Sequence, residues 1–356
     1  MEKYPSLNGL RAISILLVVC SHLSQQTNIF IEISNYKFLF PFLLFIREGQ
    51  LGVNVFFVIS GFLITSLLLF EESNKGKINL RNFFMRRVIR IFPAYYTLLC
   101  VYFLLELVGV LKIDVFAWFS AITYTKYFNL ERNGILIDWF TAHGWSLSVE
   151  EHFYLFWPFV FIRGNNFRKK IATLIIIIVP LIRVLLFVHP ITWISNESLF
   201  TRIDAIAIGC FVAFYKQEII KRITPFFSPL FYTSLILLLV IHIIKSAADK
   251  KGLGFLFIPF GTTSGTIANI SISIVLLYSL TQVNTRWYKF LNLRVLNYLG
   301  ILSYSIYLWQ QLFIYRTNYW INQFPQNIFL ILLVSLLSYN LIEAPFLKLK
   351  KKFASN

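Results

Sequence analysis

"LNGLRAISILLVVCSHL", residues 7–23, decides the fold. Between Arg11 and His22 lie ten residues without a charge, too short a run to span a bilayer comfortably and too apolar for a loop. An α-helix turns about 100° and rises about 1.5 Å per residue, so eleven steps bring Arg11 and His22 onto one face about 16 Å apart. A helix that carries a guanidinium at one end and an imidazole at depth is expensive in hydrocarbon, and such residues default to function. The plainer reading makes Arg11 a topology anchor and His22 an interfacial residue.

The rest of the chain agrees that the solvent is lipid. Of 356 residues 57% are hydrophobic, 18% aromatic and only 14% charged, with mean hydropathy +0.68. Soluble domains carry about 25% charged residues. The net charge of +17 resides in short segments between apolar runs, as topology signals do, which argues against nucleic acid. Cys20, Cys100 and Cys210 are scattered through apolar stretches, and no pair has metal-ligand spacing, so no metal is expected. No small-residue cleavage site follows the first run, and Val19 before Cys20 does not fit a lipoprotein signal, so residues 10–24 read as a retained first helix.

Apolar runs fall near 10–24, 51–70, 92–111, 151–162, 171–188, 202–215, 228–244, 255–280, 299–316 and 327–343. The first, fourth and sixth are short and need their flanks to reach across a bilayer. With the N-terminus inside, 22 of the 33 lysines and arginines fall in cytoplasmic segments and nine on the opposite side. The positive-inside rule then predicts an all-α polytopic membrane protein of ten transmembrane helices, with N- and C-termini cytoplasmic. The segment 112–150 is the longest outer loop, and its aromatic part 115–128 suits an interfacial helix. The chain 1–356 reads as a single transmembrane domain with no appended soluble domain.

Two further stretches carry chemistry. In "RNFFMRRVIRIFPAYY", residues 81–96, Arg86, Arg87 and Arg90 sit on the cytoplasmic side, and Arg86 and Arg90 share a helical face. Arginine clusters grip phosphates bidentately, although a basic loop is also a plain topology signal. "HGWSLSVEEHFYLFWP", residues 143–158, opens the fourth helix from the outside with Glu150 and Glu151. A carboxylate there lies at the depth of His22, because the first helix ends outside and the fourth begins there. One that accepts the imidazole N–H would fix the tautomer and raise its basicity, as a general base requires.

Together these residues resemble the membrane-bound acyltransferase-3 family over essentially the whole chain. Arg11 and His22 match its first-helix Arg-x10-His pattern, and "GVNVFFVISGFLIT" with Ser60 and Gly61 is similar to its second helix. Arg87 and Arg90 match its Arg-x-x-Arg spacing, and Trp145, Ser146 and Glu150 its Trp-Ser-Leu-x-x-Glu motif. Arg202 and Asp204 fit its Arg-x-Asp helix, and "SYSIYLWQ", including Tyr307, its Ser-Tyr-Ser-x-Tyr-Leu segment. Asn8, His152 and Gln310 depart from the family's usual Asp, Gln and His.

The resemblance implies a stand-alone O-acyltransferase of a bacterial cytoplasmic (inner) membrane. Its donor would be cytoplasmic acyl-CoA, usually acetyl-CoA, with no permanently bound cofactor. Its acceptor would be a hydroxyl of an extracytoplasmic or lipid-linked glycan such as O-antigen, capsule or exopolysaccharide. The donor phosphates would rest on Arg86, Arg87 and Arg90, with Arg11, and its arm would reach His22, oriented by Glu150 or Glu151. Trp145 and Ser146 would shape the site, and Asp204 would pair with Arg202, although residues two apart point away from each other on a helix. Direct transfer and an acyl-histidine intermediate both remain open. The competing class is a transporter or flippase, which predicts broken helices in matched halves; no internal repeat is visible.

Overall fold

The computed structural model describes residues 4, 6–26, 48–128, 131–132, 135–136, 138–191, 194–251, 258–315, 319–349 and 353. Among them fourteen α-helices dominate. The long ones are α1 (Ser6–Gln26), α2 (Gly49–Lys75), α3 (Leu80–Leu107), α6 (Gly144–Phe161), α7 (Asn165–Val188), α8 (Leu199–Ile223), α9 (Phe227–Lys251), α10 (Ile258–Thr281), α12 (Arg294–Phe313) and α13 (Gln326–Ser338). Short helices α4 (Val115–Ile122), α5 (Trp139–Ala142), α11 (Arg286–Leu291) and α14 (Ala344–Leu349) complete the set. The one β element is an antiparallel pair, β1 (Glu131–Arg132) with β2 (Ile135–Leu136).

The described parts of the expected apolar runs fall mainly on helices, residues 255–257 and 316 lying outside the described residues, and the three short runs are lengthened by their flanks into α1, α6 and α8. Among the described residues six helical stretches are long and apolar enough to cross a membrane: Ser6–Gln25, Gly49–Lys75, Leu80–Leu107, Asn165–Val188, Leu199–Ile244 and Gln326–Leu349. The fifth takes in both α8 and α9 across the tight turn Thr224–Phe226. Along α7, Leu174, Ile177, Ile178, Leu181, Leu185 and Val188 form an exposed stripe at helical spacing. Such a stripe is stable only against lipid. The molecule is a multi-pass membrane protein.

Three boundaries differ from the sequence reading. The segment 71–90 is not a loop: α2 runs to Lys75 and α3 starts at Leu80, where the Asn79 side chain accepts from Asn82 N. The basic residues from Arg81 to Arg90 therefore stand on a helix continuous with the apolar part of α3. The expected interfacial helix 115–128 is shorter, α4 followed by a single turn at Lys126–Phe128. Asp114 starts α4 by accepting from Phe116 N, and Glu106 ties it down through Ile113 N and Trp118 Nε1. The last helix continues past 343 through a π turn, Tyr339–Glu343, into α14. Pro345 has no N–H to extend the regular ladder, which is the reason the register opens there. Lys37, Arg47 and Arg316, counted above as outer charges, lie outside the described residues.

The chain divides into two compact units, Met1–Phe70 with Phe159–Ile301, and Glu71–Pro158 with Leu302–Asn356. In the first, α7, α8, α9 and α10 pack on one another and α1 packs on α10 and α11. Its tightest crossing joins α2 and α8 through two glycines. A Cβ on Gly61 would stand 1.9 Å from the Ile206 carbonyl oxygen, and one on Gly209 would stand 2.1 Å from that of Val58. In lipid, close backbone approach replaces the hydrophobic effect as the source of helix association. In the second unit α3 packs against the π turn and α14, and α4 against α5.

A side chain at either glycine has nowhere to go. Gly61→Val is expected to cost about 3 kcal/mol or more through overpacking, read as a lost or sharply lowered thermal midpoint in detergent. Gly76→Ala, at a position with open space around it, is the comparison and costs about 1 kcal/mol through its positive φ alone.

Candidate active site

The first unit holds Arg11, His22, Ser60, Arg202 and Asp204. Arg11 and His22 lie on the uninterrupted helix α1 and both are half-buried, while Leu16, on the other side of that helix, is exposed. The spacing argument for a shared face therefore holds in the structure. Asn8, where the family's usual residue is Asp, donates through Nδ2 to Asn297 Oδ1 at 2.6 Å.

Asp204 is fully buried on α8 and forms an ion pair with Arg183 of α7. Arg183 Nη2 donates to Asp204 Oδ1 at 2.5 Å, while Thr266 Oγ1 and Asn269 Nδ2 of α10 donate to Oδ2. Arg183 also donates to the Thr201 carbonyl and to Thr266 Oγ1. Arg202 donates through Nε to the Asn196 carbonyl. Arg202 also lies within electrostatic reach of Asp204, although two residues apart on one helix the side chains leave the backbone in different directions. Ser60 is half-buried beside Gly61.

The second unit gathers the other nominated residues: Arg86, Arg87 and Arg90 on α3, Trp145, Ser146, Glu150 and Glu151 on α6, and Tyr307 on α12. The three arginines differ in their surroundings. Arg86 Nη2 meets Glu71 Oε2 at 2.8 Å, both buried, and Arg86 Nη1 donates to the Phe353 carbonyl. Glu71 also accepts from Asn79 N, so this pair staples α2 to the start of α3. Arg87 is buried with its guanidinium 5.1 Å from the Tyr154 ring centroid, and its Nε has no hydrogen-bond partner among the described residues. Arg90 is half-buried. Arg87 and Arg90 are therefore the cations of the cluster not already held by a carboxylate.

The adjacent glutamates point different ways. Glu150 accepts from Tyr154 OH at 3.2 Å, one turn along α6. Glu151 lies within electrostatic reach of Arg87 and Arg90, and its Oε1 is buried without a hydrogen bond among the described residues. Around it stands a group of tyrosines: Tyr95 stacks on Tyr124 at 4.6 Å, Tyr95 OH donates to the Ala121 carbonyl, and Tyr304 OH donates to the Ile91 carbonyl. Tyr124 adopts φ +55°, an uncommon conformation for a side-chain-bearing residue, and burial pushes its phenol pKa up. His152 is turned back on its own helix, its Nδ1 2.8 Å from the Ser148 carbonyl.

Two sequence motifs meet directly. Ser146 Oγ donates to Tyr307 OH at 2.6 Å, and Tyr307 OH donates to the His143 carbonyl at 2.6 Å. This relay locks the start of α6 to α12. Trp145 is buried beside it in sequence. Gln310, which replaces the family's usual His, is buried and donates to the Tyr307 carbonyl.

Four residues went unmarked in the sequence reading. Arg183 was visible only as a cation within an apolar run. His143, buried with its ring 5.3 Å from that of Tyr307, stands two residues before Trp145 of the Trp-Ser-Leu motif. Glu343, buried in the π turn, accepts from Ser305 Oγ, and nothing short of the helix pairing reveals it. Tyr124 is one of eighteen tyrosines and carries no local signal.

Helices dense in exposed apolar residues, with buried ion pairs such as Arg183–Asp204 and Arg86–Glu71 among them, define an integral membrane protein. The chain belongs to the acyltransferase-3 family, whose acyltransferase-domain profile matches residues 4–341. It is similar to the O-acetyltransferase OatA of Staphylococcus aureus (strain NCTC 8325 / PS 47), 30% identical over 380 residues that cover 97% of this chain and 57% of OatA. It is also 28% identical over 383 residues to a provisionally named O-acetyltransferase of Staphylococcus aureus (strain COL), covering 98% of this chain and 58% of the relative. The chain thus spans less than two thirds of the length of these relatives. No solved structure matches it.

Breaking the Arg86–Glu71 pair strands a buried carboxylate. Arg86→Gln is expected to destabilise the protein by about 3 kcal/mol or more, and adding Glu71→Gln to recover most of that loss. Thermal unfolding of the two variants in detergent checks it.

Proposed function

We propose that this chain is a membrane-bound O-acyltransferase that moves an acyl group, acetyl in the first instance, from cytoplasmic acyl-CoA to a hydroxyl of an extracytoplasmic or lipid-linked glycan. The observation that carries the reading is α1, an unbroken helix with Arg11 and His22 half-buried on one face. Membership of the acyltransferase-3 family and the similarity to OatA support the reaction class. The topology belonging to it has ten crossings with both termini cytoplasmic, as the lysine and arginine distribution requires. A bacterial cytoplasmic membrane is its setting.

In this reading the donor phosphates rest on Arg87 and Arg90, with Arg86 fixing the helix that presents them, and Arg11 lines the way to His22. The pantetheine arm covers the roughly 16 Å between Arg11 and His22. His22, its tautomer held by Glu150, takes the proton of the acceptor hydroxyl as that oxygen attacks the thioester carbonyl. The new C–O bond forms, the C–S bond breaks, and the imidazolium returns its proton to the departing CoA thiolate. The role given to Glu150 follows from the Trp-Ser-Leu-x-x-Glu motif that carries it, and Glu151, within electrostatic reach of Arg87 and Arg90, belongs to the donor side. No resident metal or cofactor is needed for any of these steps.

The test is acetyl transfer by purified protein in nanodiscs, with labelled acetyl-CoA and a panel of oligosaccharide acceptors. His22→Ala is expected to abolish transfer while leaving the thermal midpoint in place, and Glu150→Gln to lower kcat by about 10² or more. Arg90→Ala should raise the KM for acetyl-CoA by about tenfold, the loss of one charge-assisted phosphate contact. A His22→Ala protein that still acetylates overturns the assignment. Glycan translocation without acyl transfer would return the chain to the transporters.

A further inference from the structure

The loop region between α3 and α6 contains polar groups that the proposed chemistry does not use. Lys126 is 2% exposed, and its Nζ stands 3.8 Å from Asp138 Oδ2 without a hydrogen bond among the described residues. Asp138 is committed elsewhere, since it accepts from Phe140 N and Thr141 N at the start of α5. Tyr102 of α3 is fully buried within electrostatic reach of Asp138, its ring 5.8 Å from that of Phe140, and its hydroxyl also has no partner among the described residues. On the other side of α5, Trp139 Nε1 donates to the Gln311 carbonyl at 3.1 Å, while Gln311 Oε1 is buried and unpartnered. Trp139 is half-buried, its ring 6.5 Å from the exposed ring of Tyr315.

Buried polar atoms without partners each cost stability, and native structures hold few of them. Three of them, from α3, α12 and the turn Lys126–Phe128, stand around one four-residue helix, beside an aromatic pair that is partly open. Two of them are donors, an ammonium and a phenol, and the third is an amide acceptor. Lys126 and Asp138 offset each other's charge, so the cluster favours an uncharged ligand bearing hydroxyls over a phosphate or a carboxylate. Burial also lowers the Lys126 pKa, with Asp138 and Asp114 acting against that shift. A pyranose supplies what is missing: hydroxyls that both donate and accept, and an apolar C–H face that lies on an aromatic ring.

We infer that Trp139 and Tyr315, with Lys126, Tyr102 and Gln311 contributed by the segments packed around the short helix α5, form the subsite for a neutral saccharide unit of the acceptor. The inference rests on the acyltransferase reading for the word acceptor, but the binding site itself does not depend on catalysis.

The experiment is saccharide binding by the full chain in nanodiscs, titrated with chitotetraose, maltotetraose and a galacturonic acid oligomer and followed by tryptophan fluorescence. A neutral oligosaccharide is expected to bind saturably. Tyr102→Phe and Gln311→Leu each remove an unpartnered atom, so their thermal midpoints should stay level or rise while saccharide affinity falls about tenfold, the worth of one hydrogen bond. His22→Ala should bind as the unaltered protein does. No binding by any of the three saccharides, or variants that bind normally, or a fall in the thermal midpoint of both variants, overturns the inference. If acetyl transfer proves absent while Tyr102→Phe still loses saccharide binding, the enzyme reading fails and the subsite stands. Intact transfer with binding indifferent to both variants removes the subsite alone.

Discussion

A charge inside hydrocarbon has to be given polar surroundings by its neighbours, and the architecture of this protein follows from that requirement. Asp204 receives three side-chain donors, one from α7 and two from α10, and the arginine among them is shared with a backbone carbonyl of α8. Removing any one member would leave a buried ion under-solvated at a cost of several kcal/mol. Three helices are therefore bound to one register by a single carboxylate. The glycine crossing of α2 and α8 then holds a fourth against them, with backbones too close for any side chain between. Arg86 and Glu71 do the equivalent work in the other unit, at the junction of α2 and α3.

How much of this can be read from the chain depends on the range of the interaction. Hydropathy is a local property, so each apolar run found its helix, and even the short runs were correctly taken as incomplete. The motifs are nearly as local: Ser146 and Tyr307, nominated from separate segments, turn out to be hydrogen-bonded to each other. What local reading misses is which charge answers which. Asp204 has an arginine two residues away and another twenty-one residues away, and only helix packing selects the second. The loop expected at 71–90 failed for a related reason. Charge suggested a cytoplasmic segment leading into the third helix, whereas Arg86 is paired, Arg87 lies against an aromatic ring, and all three arginines stand within that helix.

The adjacent glutamates show the same limit at closer quarters. Consecutive residues on a helix differ by about 100°, and sequence alone ranked Glu150 and Glu151 only by motif. The structure separates them chemically, one accepting from a tyrosine on its own helix and the other set among arginines and phenols. A pair of neighbouring carboxylates is thereby divided between two environments, which is how one helix can serve two different partners. The tyrosines were illegible for another reason: two of their hydroxyls donate to backbone carbonyls of other helices, and no side-chain pattern encodes such a bond.

The π turn at Tyr339–Glu343 has a consequence of its own. Asn327, Ile331, Ser335 and Ser338 are buried at steps of three and four, and Glu343 joins them after a step of five. On a regular helix that step would swing the carboxylate about 140° around the axis, away from Ser305. The extra residue acts as a phase correction, so the position of Glu343 is encoded by how many residues precede it as well as by which ones. Gain of one residue in the turn would leave the composition of this helix nearly intact and still present its acid to lipid. In this part of the chain, reading frame along the helix matters more than residue type, and length variation would be tolerated least where the side chains look most ordinary.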